Sequence, residues 1–521
     1  MSTIYIPSSN LETDGTPFDD IIYGTSGSDR IYGKSGNDTI YGGAGVDLIY
    51  GNEGDDLVFA GDGNDIVVYW DGFGEDPGFD ELYGGDGEDK LTVYLTSYGD
   101  ENIIFDASPT GTGIITFGDR AIFAEFEKYD ITTWFGDDYV ILGENADSAF
   151  LSGGNDICYG MAGDDKIFGS LGEDQLYGNA GNDTLYGDHT NDSDGSADRL
   201  EGGDGNDILY GGGADDLLFG GGGMDELKGG DGNDTLSGGT EADLLNGGTG
   251  IDTADYGSSS QGVTVNLALG TGAGGDADGD ILVDIENVVG SEHADILIGN
   301  AEPNVISGGN GNDMIRGGAG ADTLSGGDGF DTLSYADSTA SVQVFLGGNT
   351  ATGGDATGDT ISGFENVFGS DFGDRLFGSA QVNLLDGGAG NDILLGNNGN
   401  DTLRGRDGRD VIYGGNHSDT FVYFSLSDSG LLFADRDRIQ DFTDGDDRFD
   451  LSALDADTAT SGDQAFTYVG GSFTRSAGQL RSWEFSGLTF IEGDVNGDGV
   501  ADFRIELLGT GLGIDASDFI L

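Results

Sequence analysis

Cysteine is nearly absent: Cys158 stands alone in 521 residues, so no internal disulfide framework can staple the fold. Histidine is as scarce. His189, His293 and His417 lie far apart, which leaves no clustered His and Cys ligands for zinc. Positive charge is the third shortage. Nineteen basic residues against 97 acidic ones give a formal charge of -78, and such a chain repels nucleic acid and anionic membrane surfaces. No apolar run approaches membrane-spanning length. Residues 1–20 lack a basic stretch followed by an apolar one, so a cleaved N-terminal export signal is not expected. No serine sits in a G-x-S-x-G nucleophile elbow.

Glycine, by contrast, is abundant at 101 residues, more than a packed globule uses, and this points to a periodic architecture. A charge this high with few lysines ordinarily means disorder. Here Tyr, Phe, Ile, Leu and Val recur at fixed places, so the chain is built to fold once its charge is neutralised. Cations are the natural partners.

The period is nine. From Gly24 the chain reads GTSGSDRIY, GKSGNDTIY, GGAGVDLIY, GNEGDDLVF and AGDGNDIVV without a gap, and the register returns over 151–255, 299–334 and 378–422, with a weaker piece at 80–92 and an interruption at 189–196. Aspartate holds the sixth place and an aliphatic residue the eighth. The pattern G-G-x-G-x-D-x-U-x resembles the calcium-binding nonapeptide of the RTX family. The candidate metal ligands are the sixth-place carboxylates: Asp29, Asp38, Asp47, Asp56 and Asp65; Asp156, Asp165, Asp174 and Asp183; Asp207, Asp216, Asp225 and Asp234; Asp313, Asp322 and Asp331; Asp392, Asp401, Asp410 and Asp419. Tract ends lack a neighbouring coil, so Asp29, Asp331 and Asp419 are expected to bind less well than Asp47, Asp174 or Asp401.

Each place has a physical reason. Glycine at places one, two and four permits positive backbone dihedrals and lets carbonyls approach an ion. Places seven to nine make a short strand with only place eight pointing inward, because alternate strand residues face opposite sides. Two nonads then complete one coil of a parallel roll, stacked at about 4.8 Å, and Asp29 neighbours Asp47 while Asp38 neighbours Asp56. Two carboxylates about 5 Å apart at an effective dielectric near 20 repel by roughly 3 kcal/mol. One buried aliphatic residue per nonad returns only about 1.5 to 3 kcal/mol against the ordering of nine backbones. A hard divalent cation that accepts six to eight oxygen ligands, mixing carboxylates with carbonyls, reverses the carboxylate contribution. The cofactor expected is calcium, in many copies.

The intervals between tracts have their own grammar. VTVNLALG, GGDADGD and IENVVGS (263–291) recur as VQVFLGG, GGDATGD and FENVFGS (342–370), one module used twice, and its alternation reads as a β-hairpin returning the chain to the roll. The acidic turns read first as hairpin loops and second as extra calcium sites. The longest interval, 93–135, reads as a small β insert with strands at 103–105, 114–117 and 121–126. Its carboxylates Asp106, Asp119, Glu125 and Glu127 define the rival to a non-enzymatic reading, an extracellular hydrolase working by an acid/base pair.

After residue 434 the composition changes. DRDRIQDFTDGDDRFDLSALDA (435–456), EGDVNGDGVADFRIEL (492–507) and the terminal DFIL (518–521) resemble the C-terminal domain of serralysin-type secreted metalloproteases. That resemblance implies an uncleaved type I secretion signal at the chain's end, type I export machinery as a partner, and an extracellular location. It does not extend to the catalytic cargo, because no H-E-x-x-H segment is present. Asp494, Asn496, Asp498, Gly499 and Asp502 match half of an EF-hand-like loop, but Ile505 stands where a bidentate Glu belongs, so a tight turn is expected.

The expected fold is all-β: parallel β-roll tracts interrupted by β-hairpin modules, ending in a β-rich domain. The expected layout is an N-terminal tail (1–18), roll (19–92), β insert (93–135), roll (136–255), bridging module (256–291), roll (292–334), bridging module (335–370), roll (371–422) and C-terminal domain (423–521). Place nine is repeatedly aromatic, so Tyr32 with Tyr50 and Tyr159 with Tyr177 should form surface ladders. Such ladders serve strand pairing first and a cell-surface or polysaccharide ligand second. The functional expectation is a secreted, non-enzymatic calcium-binding protein, structural or adhesive, with no catalytic residues, that folds on calcium after type I export.

Overall fold

The computed structural model describes residues 1–7, 12–70, 78–95, 102–107, 113–117, 119–188, 195–458 and 460–521, so His189 and most of the interruption at 189–196 lie outside the described residues. The chain forms two compact units, one of Met1–Asp255 with Asp276–Ile285 and one of Tyr256–Gly275 with Glu286–Leu521.

In the first unit successive short strands alternate between two parallel sheets. Asp20–Tyr23, Thr39–Ala44, Leu57–Asp62 and Asp80–Asp86 belong to one, Arg30–Ser35, Leu48–Glu53, Ile66–Trp70 and Lys90–Tyr94 to the other. Ile31 pairs with Ile49 and Ile40 with Val58, an offset of two nonads per coil. The eighth-place residues Ile22, Ile31, Ile40, Ile49, Val58 and Val67 are fully buried in a single file between the sheets. Many strands are longer than three residues. In Thr39–Ala44 or Leu217–Gly222 the strand runs from place seven through place three of the next nonad, and place one is buried as well as place eight. The inward-facing glycine is the reason, since it lets the backbone stay extended where a side chain would collide with the turn.

Two segments set apart in the sequence are woven into this roll. Ser2–Tyr5 pairs with Asp20–Tyr23 and Glu12–Asp14 with Arg30–Ser35, so strands of the N-terminal segment form the first coil instead of a free tail. Of the insert, Asp119–Ala124 lies parallel to Asp80–Asp86, turns back antiparallel through Gly113–Phe117 to Ile104–Asp106, and rejoins the sheet beside Tyr139–Ile141. Phe105, Phe123 and Tyr129 fill the wider core there, with the two phenylalanine rings stacked at 5.2 Å.

In the second unit each bridging module supplies a hairpin: Thr264–Asn266 with Thr271–Ala273, and Gln343–Phe345 with Thr350–Thr352. The first strand of each hairpin then pairs in parallel with Ile296–Ile298 or Arg375–Phe377, resuming the roll. At the C-terminal end Val411–Asn416 pairs with Arg438–Ile439, which pairs with Phe503–Leu508 of an antiparallel meander. The chain terminus closes the opposite sheet: Phe519–Ile520 lies beside Arg448–Asp450, and the Phe519 ring stacks on Phe449.

Candidate metal centre

The sixth-place carboxylates form continuous columns. Asp29 N–H donates to Asp47 Oδ1 at 2.8 Å, Asp38 N–H to Asp56 Oδ1 at 2.8 Å, and Asp392 N–H to Asp410 Oδ1 at 2.8 Å. One oxygen of each carboxylate therefore fastens neighbouring coils. The other oxygen, Oδ2, is buried and has no hydrogen-bond partner at every one of the twenty candidate aspartates except Asp29. A buried carboxylate oxygen left unpaired costs about 1–3 kcal/mol or more, and native proteins do not keep rows of them.

The turn geometry creates this vacancy of donors. Place two of these turns lies at positive φ, whether occupied by Gly43 (113°), Lys34 (82°) or Asn397 (77°). At Gly211 place one needs glycine for space, because a Cβ there would lie 2.3 Å from Asp216 Oδ2 and 2.7 Å from the Gly229 carbonyl, whereas Ala60 and Leu151 hold the same place elsewhere. Place four brings backbones together, and a Cβ on Gly63 would lie 1.6 Å from the Gly45 carbonyl oxygen.

Burial raises the carboxyl pKa values, and the charges of neighbouring rungs add to it. Asp38 is pushed up to about 7 by burial with the charges of Asp20 and Asp19 helping. Asp56 is pushed up to about 9 by burial and then by Asp80. Asp174 and Asp392 also reach about 9, again chiefly through burial. Without a positive partner this array holds its charge poorly.

The donor set fits a hard cation. Among the described residues no group of three or more His, Cys, Asp or Glu side chains gathers at one point. A binding turn therefore offers a carboxylate oxygen from each coil and must complete its shell with backbone carbonyls, the oxygen-only mixture calcium accepts. His293 and His417 sit in separate turns, the latter accepting from Gly399 N–H at 3.3 Å.

Sequence reasoning placed the column ends too early. Asp331 N–H donates to Glu365 Oε2 at 3.0 Å and Asp419 N–H to Asp447 Oδ1 at 3.0 Å, so neither ends its column, because the chain returns to the roll after each excursion. Asp89, Asp198 and Asp243, which keep the nine-residue spacing from Asp80, Asp207 and Asp234, have Oδ2 atoms that are equally buried and unpaired. Asp280 and Asp359, the last acidic residues of the two module turns, accept from Asp243 N–H and Asp322 N–H at 2.9 and 3.0 Å. Alignment by stacking, not by nine-residue spacing, is what identifies them. Glu127 of the insert accepts from Asp89 N–H at 2.8 Å and so belongs to a column, while the Asp119 side chain lies outside the described residues.

The Asp494–Asp502 loop is a different object. Asp494 accepts from Gly497 N–H at 2.7 Å and Gly499 N–H at 2.9 Å, and Asp502 from Val495 N–H at 2.8 Å and Asn496 Nδ2 at 2.8 Å, so its carboxylates are used in closing a hairpin. The aromatic ladders are present and longer than the nonads indicate: Tyr5, Tyr23, Tyr41, Phe59 and Tyr83 stack at 5.1 to 5.3 Å, beside the pairs Tyr32–Tyr50 at 4.9 Å and Tyr159–Tyr177 at 4.8 Å. Within a ladder the ring faces cover one another, while the end ring Tyr5 stays 71% exposed.

Comparison with known proteins agrees with this geometry. The family described as RTX calcium-binding nonapeptide repeat (4 copies) matches residues 14–49, 33–67, 76–93, 135–167, 159–194, 192–227, 219–254, 289–324, 298–333 and 359–394, together more than half of the chain. The family described as Peptidase M10 serralysin C terminal matches residues 378–521. No curated protein matches the chain. Among solved structures, the AlgE6R3 subunit of the mannuronan C5-epimerase from Azotobacter vinelandii is similar at 27% identity over 29% of this chain and 78% of that one, with a TM-score of 0.22. The extracellular lipase LipA from Serratia marcescens is similar at 17% identity over 45% of this chain and 40% of that one, with a TM-score of 0.18. With its repeats matched over most of the roll and its columns of cation-seeking carboxylates, the chain belongs to the RTX family of calcium-binding repeat proteins and carries a serralysin-type C-terminal domain.

Proposed function

We propose that the sixth-place Oδ2 atoms, with carbonyls of the glycine turns, are the calcium ligands, and that calcium assembles the roll after export to give a structural or adhesive extracellular protein. The observation that carries the reading is the row of buried, unpaired Oδ2 atoms from Asp38 to Asp419. Inside the cell, where free calcium is scarce, the charge of -78 keeps the chain expanded and suited to threading through a type I channel. Outside, binding and folding are one equilibrium, because the ligand set exists only in the stacked coils. The C-terminal domain, whose last strand is seated in the roll's own sheet, is the segment assigned to export.

The adhesive or scaffolding role is supported by the surface of the roll. Val46, Met224, Ile251 and Phe330 stand exposed at the fifth place of their turns. Apolar points repeated on metal-stiffened turns suit contact with a matrix or a cell-surface polymer. Calorimetric calcium titration with matched circular dichroism tests the ligand assignment: β-structure should rise as ions bind and collapse in chelator. A chain with the same cooperative melt in chelator as in calcium refutes it. Pull-down by cells and polysaccharides, alongside activity screens on glycans, esters and casein, tests the role.

A further inference from the structure

The columns contain a second kind of turn. At nine sixth places among the described residues the side-chain oxygen near the place-one residue is not left unpaired, because place two stays out of the left-handed region and turns its N–H onto that oxygen. Asp147, Asp428 and Asp447 do so singly, accepting from Gly143, Phe424 and Thr443 N–H at 2.9, 2.7 and 2.8 Å, and six others do so in pairs. Thr16 N–H donates to Asp20 Oδ2 at 2.7 Å and Thr25 N–H to Asp29 Oδ2 at 2.7 Å, and both hydroxyls add bonds of 2.8 Å. Ser291 N–H donates to Asp295 Oδ2 at 2.6 Å and Ser370 N–H to Asp374 Oδ2 at 2.5 Å. The remaining two have asparagine: Asn300 N–H donates to Asn304 Oδ1 at 2.8 Å and Ser379 N–H to Asn383 Oδ1 at 2.6 Å.

The asparagine turns show that a neutral side chain suffices once the place-two N–H meets its oxygen. Asn304 Nδ2 donates to the Glu286 carbonyl at 2.6 Å and Asn383 Nδ2 to the Glu365 carbonyl at 2.7 Å. Oxygen faces an N–H and nitrogen faces a carbonyl, so the amide orientation is determined by its partners. In an ordinary rung the sixth-place carbonyl accepts the N–H nineteen residues on, as Asp38 does from Leu57 at 2.9 Å. Here Val305 and Leu384 N–H donate instead to the side chains of Asn287 and Asn366, at 2.8 and 3.1 Å, which leaves the carbonyl to the amide. Both asparagines are 1% exposed, and their Oδ1 stands beside place one where an ordinary rung has its unpaired Oδ2, 2.4 Å from a Cβ built on Gly299 and 2.5 Å from one on Gly378.

Their positions form a pattern. The six paired turns are Asp20 with Asp29, Asp295 with Asn304, and Asp374 with Asn383. Two nonads make one coil, so each pair is a whole coil, one stacked on the N-terminal coil of Ser2–Tyr5 and Glu12–Asp14 and one directly after each bridging module. We propose that these three coils are metal-independent starters that hold the roll's register where a tract begins, before calcium fills the turns that follow. This rests on the reading that sixth-place Oδ2 atoms bind calcium. A parallel roll gains from such a device, because the coils that open a tract form against loop entropy before the rest of the stack can template them.

The test uses the full-length protein, with bound calcium counted by native mass spectrometry and the calcium midpoint of folding read by circular dichroism. Asn304→Ala with Asn383→Ala should leave the ion count unchanged and raise the midpoint roughly two- to threefold, since two buried carbonyls lose their donors. A lower ion count, or an unchanged midpoint, overturns the proposal. If the variant does not fold, hydrogen exchange of the wild-type chain during calcium titration decides: protection at 290–305 and 369–384 should appear at lower calcium than at 207–235, and protection appearing there last overturns it. Asp401→Asn is the control for the underlying reading. If it binds as many ions as the wild type, the ligand assignment itself fails, whatever the starter coils do.

Discussion

Replacing Asp216 by asparagine should change stability in opposite directions with and without calcium. Asp216 Oδ1 accepts from Asp198 N–H at 2.8 Å, a bond that an asparagine oxygen keeps, whereas Oδ2 is buried without a donor. Burial, with the charges of Asp198 and Asp234 behind it, pushes its pKa from 3.8 to about 9. At about pH 7.5 the metal-free roll must then take up a proton that the unfolded chain does not hold, which costs at most about 5 kcal/mol and roughly half of that once solvent screens the site. Asparagine has no such cost, so Asp216→Asn should stabilise the chelator-treated protein by about 2–5 kcal/mol. In calcium the same change deletes an anionic ligand, so bound ions should fall and the folding midpoint should rise. Thermal melts followed by circular dichroism in chelator and in millimolar calcium measure both signs. A loss of stability of equal size in the two conditions would show that Asp216 is only a structural hydrogen-bonding residue, and the reasoning would be wrong.

Three further outcomes are expected. In chelator, acidification should compact the chain: Asp38, Asp56, Asp174 and Asp392 have folded values raised to about 7 to 9, so the metal-free roll gains stability as pH falls from about 9 toward 4. Small-angle scattering across that range checks it, and a chain more compact at the alkaline end contradicts it. Tyr41→Ala removes ring contacts at 5.1 and 5.3 Å from the middle of the five-ring ladder and should cost about 1–2 kcal/mol in a calcium-loaded melt without changing the ion count. Glu492→Ala strands Arg481 and Arg504, which both pair with this fully buried carboxylate, and should destabilise by about 3–5 kcal/mol while leaving the binding turns intact, as denaturant melts and ion counting will show.

Much of the architecture was legible beforehand because the constraint is local and repeated. Asp47 and Ile49 are set by their own nonad, and a strict ninth-residue period admits one register, so coil offset, buried file and aspartate columns could all be read from spacing. The columns became invisible where spacing broke. Asp89, Asp280 and Asp359 join through offsets of 24 and 37 residues, which only the stacking of distant strands brings into line.

What the sequence determined by itself is the identity of the repeating unit: glycine where backbones touch, aspartate where coils meet, an aliphatic residue inside. What the tertiary structure alone decided is which turns are short of a donor. Asp29 and Asp38 occupy the same place in adjoining nonads, yet Thr25 closes on the first and leaves its oxygen paired, while positive φ at Lys34 goes with an unpaired oxygen on the second. Ser152 and Ser170 take positive φ where Ser291 and Ser370 do not, so residue type does not settle the turn. The choice is made by the coil stacked against it, because backbone direction at place two answers to the neighbouring coil's carbonyls and not to the nine residues of its own repeat.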